Sequence, residues 1–567
     1  MPIQFRPRLL DALQGYNRTR LIGDIGAGLT VAVVALPLAM AFAIASGLPP
    51  QAGIFTTIIA GFLVALLGGS RVQIGGPAGA FIVIVYGIVQ QYGVANLIIA
   101  TMMSGVLLFL MGLFRLGTLV NFIPISVVIG FTNGIAVLIG LSQIKDFLGL
   151  SVDNMPADFF GILATLGTHL DTLNPWALGV ALASLAVIVA WQHWLPGIGA
   201  RAPFSGKLTT IPGAMVALVL STGAVALLEL PVETIGTRFG GIPAALPRFE
   251  WPAFDWESAR FLLMPAITLA LLGAIESLLC ARVADGMIHD RHDPNQELMA
   301  QGIANFTAPL LGGMPATGTI ARTVTNVKSG ATSPIAGIVH ALVLLAVILV
   351  AAPLASSIPL ACLAAILMHV AWNMGDWRAL SQLRRYRATY GGTLLAVFGL
   401  TVIFDLTVAV QVGIAAACGI FIYRMASLAR AEPIERPELE GREREIQAWR
   451  LLGALFFGST TITEKLEDRL PARAVVLDLS QVLYMDSTGA NALKTLAHSC
   501  RESGVQLIVC GLSAQPLDLA QRSGLPALLH GGLQPDLDTA LALALQLLPP
   551  GPAEAKGEGE ADNAGTP

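Results

Sequence analysis

The chain has 567 residues, of which 54% are hydrophobic and 12% are charged, and its mean hydropathy is +0.71. Soluble globular proteins carry about 25% charged residues, so this composition excludes an ordinary water-soluble chain. The net charge of −4 is spread thinly and no block of basic residues occurs, which argues against nucleic-acid binding. The N-terminal sequence lacks a signal-peptide pattern, because its apolar run is too long and many more follow it.

Apolar runs close to the ~20 residues that cross a bilayer recur over residues 21–430. They predict a polytopic α-helical membrane protein with about fourteen transmembrane segments, and about twelve or thirteen are the alternatives. We place the segments at residues 21–46, 52–69, 78–91, 95–114, 121–144, 175–194, 209–230, 261–284, 297–311, 317–328, 333–354, 358–374, 390–405 and 407–427.

Loop charges support this count. If the N-terminus is cytoplasmic, every second loop should be rich in Lys and Arg. The corresponding loops carry Arg71, Arg115, Arg201, Lys207, Arg282, Arg291, Lys328, Arg378, Arg384, Arg385 and Arg387. The intervening loops have few basic residues, so the pattern predicts that both termini are cytoplasmic.

The third and tenth segments have an unusual sequence. "GGSRVQIGGPAGAFIVIV" leads into the third and "LGGMPATGTIARTVTNVKSG" contains the tenth. Each has paired glycines, a proline (Pro77 or Pro315) and small residues before a short apolar stretch. Proline suits the first turn of a helix and glycine tolerates extended backbone, so each predicts a strand that breaks into a half-helix at mid-membrane. Interrupted helices at corresponding positions in two halves are typical of a transporter whose binding site lies between inverted repeats. The alternative interpretation is that both stretches are ordinary Gly/Pro-rich loops.

Two facing half-helix N-termini would form an anion site, because each end carries unsatisfied N–H groups and partial positive charge. The small residues that would let a ligand approach this backbone are Ala78, Gly79, Ala80, Ala316, Thr317 and Gly318. Thr317 and Thr319 also offer hydroxyl groups. Arg322 either complements an anion or attracts anions into the vestibule, and its alternative roles are a structural ion pair or a snorkelling side chain.

Glu276 lies in the apolar stretch "LLGAIESLLCARVADGM". A charge at the centre of a membrane helix costs about 2.5–3.5 kcal/mol on insertion scales, so such residues usually face a cavity and have a function. Three roles are open for Glu276. It binds a proton as the anion enters, it ligates Na⁺ together with Ser277, or it pairs with a basic residue such as Arg322.

The sequence predicts no metal, no cofactor and no enzymatic activity. "IHDRHDPNQEL" has two histidines among several acids but is interpreted as a solvated connector. The sequence has no Walker loop, so it offers no ATP-binding motif that could drive transport. It also has no Ser/His/Asp or HExxH arrangement of catalytic residues.

After Arg424 the composition becomes polar and then alternates in the manner of a soluble α/β domain. We therefore divide the chain into a cytoplasmic N-terminal segment, a transmembrane domain, a linker, a cytoplasmic α/β domain and a disordered tail. Their bounds are 1–20, 21–428, 429–442, 443–547 and 548–567.

Several motifs together resemble the SulP anion transporters over essentially residues 15–545. They are "ALPLAMAFAIASGLPPQAGIF", "GGSRVQIGGPAGAF", "NGIAVLIGLSQIKDFLG", "GAIESLLCARVADGM" and "NQELMAQGIANFTAPLLGGMPATGTIARTVTN". The C-terminal "VVLDLSQVLYMDSTGANAL" resembles a STAS domain, whose characteristic loop is here Asp486-Ser487-Thr488-Gly489.

The resemblance implies a seven-plus-seven inverted repeat, in which a core domain (segments 1–4 and 8–11) moves like an elevator against a gate domain (segments 5–7 and 12–14). It also implies a homodimer in a bacterial inner membrane and substrate held between the third and tenth segments. The ligand-facing residues would be Ala78, Gly79, Ala80, Thr319, Ile320, Ala321 and Arg322, with Glu276 alongside. In some bicarbonate-transporting relatives an aspartate at the Glu276 position helps to bind Na⁺, and the longer glutamate favours protons.

The substrate is inferred from a difference between this chain and the family pattern on the first segment. Many family members have Pro-Gln-x-x-Ala-Tyr-Ala on the first segment, whereas this chain has leucine at 38 and Phe42. The loss of these hydrogen-bonding groups weakens a sulfate assignment. The overall pattern is most similar to the DauA branch, which implies uptake of succinate, fumarate and aspartate with protons. Sulfate or bicarbonate transport, an uncoupled anion channel and a sensor acting through the STAS domain are the alternatives.

The STAS loop has two interpretations. In anti-sigma-factor antagonists the position matching Thr488 is phosphorylated, whereas in transporters it often lies at a helix N-terminus that Asp486 and Ser487 can cap. Regulation by phosphorylation, docking of a cytoplasmic protein partner and a role in dimerisation all stay open.

Overall fold

The computed structural model describes residues 5–118, 125–152, 155–199, 212–242, 249, 251–252, 256–385, 388–404, 406–468 and 470–548. The chain divides into two compact units, Met1–Ile414 and Ala415–Pro567. Loop residues Arg201, Lys207 and Arg387 and the predicted tail beyond residue 548 lie outside the described residues.

The first unit is built almost entirely from helices, and a helix corresponds to each predicted transmembrane segment. The helices that begin in this unit are α1 (Arg8–Ala12), α2 (Arg18–Ala45), α3 (Pro50–Leu67), α4 (Phe81–Leu113), α5 (Ile125–Leu148), α6 (Phe159–Thr168), α7 (Pro175–Gly199), α8 (Gly213–Leu228), α9 (Ile235–Phe239), α10 (Trp256–Ile288), α11 (Pro294–Leu310), α12 (Ile320–Lys328), α13 (Ile335–Ala355), α14 (Leu360–Met374), α15 (Trp377–Ser381), α16 (Ala388–Ile403) and α17 (Leu406–Leu428). The third and fourth segments share α4, which Gly93 breaks with a φ of 81°.

Length and composition confirm the membrane assignment. Among the described residues, five helices (α2, α3, α4, α5 and α10) are long and apolar enough to span a bilayer. Shorter apolar helices of 10–17 residues account for most of the other predicted segments.

Glycines allow these helices to pack at very short distances. A Cβ placed on Gly105 of α4 would lie 2.7 Å from the carbonyl oxygen of Gly302 in α11, and a Cβ on Gly302 would lie 2.7 Å from Gly105 O. Close backbone approach through small residues is the usual way in which membrane helices associate.

The third and tenth segments meet in a two-stranded sheet that we call the crossing. Strand β1 (Gly75–Gly76) pairs antiparallel with β2 (Thr317–Gly318). Strand β1 leads into α4 and β2 leads into α12, so the predicted strand followed by a half-helix is found in both halves. Antiparallel pairing of one strand from each half is the arrangement that the expected inverted repeat would produce.

The two prolines differ in position. Pro77 directly precedes a turn in which Phe81 N–H donates to Ala78 O (3.1 Å), and this turn leads into α4, so Pro77 lies just before the half-helix and not in its first turn. Pro315 instead precedes β2, and α12 begins only at Ile320. The placement of Pro315 in a first helical turn is therefore wrong, because β2 comes between the proline and the helix.

The second unit contains a five-stranded sheet in the order β3-β4-β5-β6-β7, in which β3 and β4 are antiparallel and the other pairs are parallel. Its strands and α-helices are β3 (Arg430–Pro433), β4 (Ile446–Leu455), α18 (Thr461–Glu467), β5 (Ala474–Met485), α19 (Ser487–Glu502), β6 (Gln506–Cys510), α20 (Ala514–Arg522), β7 (Leu533–Gln534) and α21 (Leu537–Leu545). The sheet thus begins inside residues 429–442, which we predict as linker.

A buried ion pair joins two strands of this sheet. Asp478 is 2% exposed, and its Oδ2 accepts from Arg450 Nε at 2.7 Å while its Oδ1 accepts from Ser480 N–H at 2.9 Å. Burial by itself raises the pKa of Asp478, but the hydrogen bonds from Ser480 and Arg450 outweigh it and hold the pKa below its ordinary value. A carboxyl group with a depressed pKa stabilises the fold above its unfolded pKa of ~3.9, and this contribution is lost as the pH falls through the lower folded value.

We therefore expect Asp478→Asn to destabilise the second unit by about 3 kcal/mol at neutral pH, with a smaller difference from wild type below about pH 3.5. Hydrogen exchange of β5 in the full-length protein measures this difference. Asp518→Asn is the control, because its pair with Arg522 is exposed and should contribute little. An equal difference at both pH values would contradict the assigned role of the ionised carboxylate.

Candidate functional site

The N-termini of the two half-helices lie on either side of the crossing. Ala80 precedes α4 and Thr319 precedes α12, and neither side chain makes a capping hydrogen bond to its helix. Neither helix start therefore has a side-chain cap, and at α4 the N–H groups of Phe81 and Ile82 donate instead to the carbonyl oxygens of Ala78 and Gly79, both at 3.1 Å. Two such ends together favour an anion, since both carry partial positive charge.

The start of the α4 half-helix lies at the boundary between the predicted core and gate. Ala78, Gly79 and Ala80 are buried. A Cβ on Gly79 would lie 3.7 Å from the Phe42 ring of α2, and 3.6 Å and 3.7 Å from side-chain atoms of Ile139 in α5 and Met374 in α14. The predicted core helix α2 and the predicted gate helices α5 and α14 thus meet beside this residue.

The first turn of α12 has two different faces. Ile320 is 44% exposed and Ala321 is also exposed, whereas Arg322 is 1% exposed. Of the predicted ligand-facing residues on α12, the first two therefore face accessible space and the third turns into the protein.

The threonine hydroxyls hold the strands in place. Thr317 Oγ1 donates to Gly273 O in α10 at 3.0 Å, and Thr319 Oγ1 donates to Ile74 O at 2.9 Å. A hydroxyl group has a single hydrogen, so neither is free to donate to an anion in this arrangement. The sequence predicts that these hydroxyls bind the ligand, whereas in the structure they bind backbone carbonyl oxygens and have a structural role.

Arg322 is a buried cation with few partners. Its Nη1 donates to Thr57 Oγ1 at 3.3 Å, while its Nε and Nη2 are buried and have no hydrogen-bond partner among the described residues. A Cβ on Gly76 would lie 2.6 Å from Nη1, so a larger residue there would displace the guanidinium. The side chain neither snorkels nor, among the described residues, forms an ion pair, which removes two of its predicted roles.

Glu276 is partly exposed within α10 and has no hydrogen bond or ion pair with any described residue. Its predicted pairing with Arg322 is therefore not observed. The adjacent Ser277 is fully buried and accepts from Gln73 Nε2 at 2.9 Å. A Cβ on Gly318 would lie 1.9 Å from the same Gln73 nitrogen, so α10 is tied to the crossing next to Glu276.

A second buried carboxylate, Glu297, is a residue whose role the sequence does not predict. It is 0% exposed on α11 and accepts from Gly69 N–H (2.9 Å), Ser70 N–H (3.2 Å), Gln301 Nε2 (3.1 Å) and Ser277 Oγ (3.4 Å). These four donors satisfy the carboxylate, and they fix the turn before β1 against α10 and α11. An acid in the first turn of a helix is common, so the sequence gives no signal of this role.

The STAS-like loop adopts the predicted capping geometry. Asp486 Oδ1 accepts from Gly489 N–H at 2.8 Å at the start of α19, and its other carboxylate oxygen accepts from Phe457 N–H at 3.2 Å. Ser487 and Thr488 are exposed on the first turn of that helix. Asp486 is thus the capping residue, and both hydroxyls are accessible.

Comparison with known proteins places these features in a family. Residues 21–396 match the profile of the Sulfate permease family, and residues 439–540 match the STAS domain. The Bacillus subtilis (strain 168) protein named "Putative sulfate transporter YvdB" is 41% identical over 527 residues, covering 91% of this chain and 96% of that relative. "Bicarbonate transporter BicA" from Picosynechococcus sp. is 32% identical over 518 residues, covering 87% and 89%.

A solved structure has the same fold. The structure of SLC26A9 superposes with a TM-score of 0.84 at 19% identity, covering 95% of this chain and 92% of that one. The predicted fold class, a polytopic helical membrane protein with a C-terminal α/β domain, is confirmed.

Proposed function

The chain belongs to the sulfate permease family and is a secondary anion transporter, and we propose that it takes up C4-dicarboxylates together with protons. The observation that carries this proposal is the meeting of two uncapped helix N-termini beside a buried arginine that lacks a counter-charge. A buried cation of this kind is costly until an anion balances it.

In the proposed site, the anion binds to backbone N–H groups at the start of α4 and α12. Ala78, Gly79 and Ala80 let it approach one helix end, and Ile320 and Ala321 line the other. Arg322 supplies positive charge from behind β1. Thr317 and Thr319 orient the strands through their carbonyl partners rather than touching the anion.

Glu276 is the proposed proton-binding residue. Glu276 is partly exposed on α10, one residue from the Ser277–Gln73 link to the crossing. A proton on Glu276 removes a negative charge near the arriving anion, so anion and proton are favoured together. Na⁺ binding is the less favoured alternative.

Transport then follows from movement of the core against the gate. On the predicted gate, the atoms nearest to a Cβ at Gly79 belong to the apolar side chains of Ile139 in α5 and Met374 in α14, which form a surface along which α4 can slide. The proposed assembly is a homodimer in a bacterial inner membrane with both termini cytoplasmic, and the STAS domain offers Ser487 and Thr488 to a cytoplasmic protein partner or kinase.

The preference for a C4-dicarboxylate comes from Phe42. Its ring lies beside Gly79 and has no hydrogen-bonding group, so it suits the carbon chain between two carboxylates better than the uniformly polar surface of sulfate. Two separated carboxylates also match two separate helix ends. Sulfate or bicarbonate is the second candidate, which the names of the two relatives favour.

Uptake by Glu276→Gln in proteoliposomes tests the coupling. We expect wild-type uptake of succinate or fumarate to rise several-fold with an inward proton gradient, and we expect Glu276→Gln to lose this dependence because glutamine cannot bind the proton. Glu257→Gln, an exposed acid at the start of the same helix, should behave as wild type.

The outcomes separate the parts of the proposal. An intact proton dependence in Glu276→Gln would refute proton coupling through this residue. Sulfate or bicarbonate uptake without succinate or fumarate uptake would refute the substrate assignment and leave anion transport in place. Flux far above transporter turnover would indicate an uncoupled channel.

A further inference from the structure

A second buried polar side chain lies behind the crossing and has no assigned role. His340 of α13 is 0% exposed, and both of its ring nitrogens are buried without a hydrogen-bond partner among the described residues. Arg322 on the neighbouring α12 has two guanidinium nitrogens in the same condition. Two such side chains are unusual, because buried polar groups in native proteins nearly always have a protein or water partner.

The two side chains lie along the same face of α3. Arg322 Nη1 bonds to Thr57 Oγ1 at 3.3 Å, and Gly61 follows Thr57 by one helical turn. A Cβ on Gly61 would lie 3.8 Å from the Nδ1 and Cε1 atoms of His340 and 3.1 Å from Gly75 O. The imidazole and the guanidinium are therefore neighbours between α3 and the backbone of β1.

We name this space the rear pocket, and the residues around it are Thr57, Gly61, Gly75, Gly76, Arg322 and His340. The glycines leave room in it, since a Cβ at Gly76 would contact the guanidinium at 2.6 Å and a Cβ at Gly61 would fill the space beside the imidazole.

The hydrogen-bonding groups of the two side chains specify what fits between them. A guanidinium only donates, whereas a neutral imidazole has one donor and one acceptor nitrogen. A water molecule can accept from Arg322 and donate to His340, and its other groups can reach the carbonyl oxygen of Gly75. A buried polar group left without a partner loses the hydrogen bonds it would make in water, so a bound water is strongly favoured over an empty space.

We propose that the rear pocket is a binding site for an ordered water that links Arg322 to His340, and that His340 is thereby the positioning residue for the guanidinium. Without the imidazole acceptor, Arg322 keeps only the bond to Thr57 and its charge loses a fixed position relative to the half-helix ends. The functional part of this inference rests on the proposed anion site, because the position of Arg322 is read out through anion affinity.

The test compares His340→Leu, which removes the acceptor, with His340→Gln, whose side-chain oxygen restores one. We expect His340→Leu to raise KM for the transported anion about 5- to 30-fold with the maximal rate within about twofold of wild type, and His340→Gln to recover most of the affinity. A merely structural role would instead reduce thermal stability and the maximal rate while leaving KM unchanged.

A high-resolution cryo-EM map of wild type and His340→Leu provides a readout that does not depend on transport. We expect density for a water within hydrogen-bonding distance of both side chains in wild type, and a displaced guanidinium in the variant. An empty rear pocket, or an unmoved guanidinium together with a wild-type KM in His340→Leu, would overturn the inference. If wild type transports no anion, the proposed function fails, and the two maps still decide the water site and the positioning role.

Discussion

Replacement of Arg322 by methionine is expected to reduce anion uptake at least about 100-fold while leaving thermal stability equal to or above that of wild type. The loss of uptake follows from the removal of a charged hydrogen-bond donor worth roughly 3 kcal/mol to an anion. The gain in stability follows because two buried nitrogens of the guanidinium have no partner among the described residues, and methionine fills similar space without that penalty.

Proteoliposome uptake and melting of the detergent-purified protein measure the two effects. Arg322→Lys is the matched control, since it keeps the charge but not the planar group, and we expect partial uptake from it. Wild-type uptake by Arg322→Met would remove this residue from the anion site. A large loss of stability would mean that the guanidinium is held by contacts beyond the single bond to Thr57.

A single added methyl group at Gly53 is expected to have the largest effect on folding. A Cβ at this position of α3 would lie 1.9 Å from the carbonyl oxygen of Ala39 in α2 and 2.7 Å from its carbonyl carbon. Both contacts are with main-chain atoms that no side-chain rotation can move, so the two helices would have to separate. We expect Gly53→Ala to cost about 3 kcal/mol or more and to leave little folded protein.

Gly87→Ala is the control for this substitution. Gly87 lies in the α4 half-helix, and a Cβ there would meet no atom within 4 Å. Alanine has the higher helix propensity, so this variant should be as stable as wild type or more stable by about 0.5–1 kcal/mol. Size-exclusion profiles and melting temperatures compare the two variants, and similar behaviour of both would contradict the close packing of α2 on α3.

Some features of the site are visible in the sequence because they depend on local backbone preference. The glycines and proline before residue 78 and before residue 317 predict extended chain that ends in a half-helix, and the structure has that form in both halves, with the second helix beginning at Ile320. Asp486 likewise occupies a position whose capping role is set by the next few residues.

Other features depend on contacts between distant parts of the chain and have no local signal. Thr317 is predicted to serve the ligand, but its hydroxyl is taken by a carbonyl oxygen 44 positions away in the sequence. The hydrogen bond from Arg322 to Thr57 likewise has no local signal, since the two residues are 265 positions apart in the sequence. Glu297 and His340 escape notice for the same reason, because an acid in a first helical turn and a lone histidine in an apolar helix are each unremarkable until their surroundings are known.

Glu276 and Glu297 show that a carboxylate in an apolar helix can have either a structural or a transport role, depending on its hydrogen-bond partners. Glu297 has four hydrogen-bond donors and is fixed in the packing of α11, whereas Glu276 is partly exposed and has no partner among the described residues. The satisfied carboxylate holds the crossing in place, and the unsatisfied one is the residue that we propose to bind a proton as an anion enters.

The most direct test of the central claim, that an anion binds between the half-helix ends and balances Arg322, is the melting temperature of the purified protein in a panel of anions at constant ionic strength. We predict that succinate or fumarate raises the melting temperature of wild type in a saturable manner, as binding to the folded state requires, and leaves that of Arg322→Met unchanged. The absence of a shift with succinate, fumarate, aspartate, sulfate and bicarbonate, or an equal shift in Arg322→Met, would contradict it.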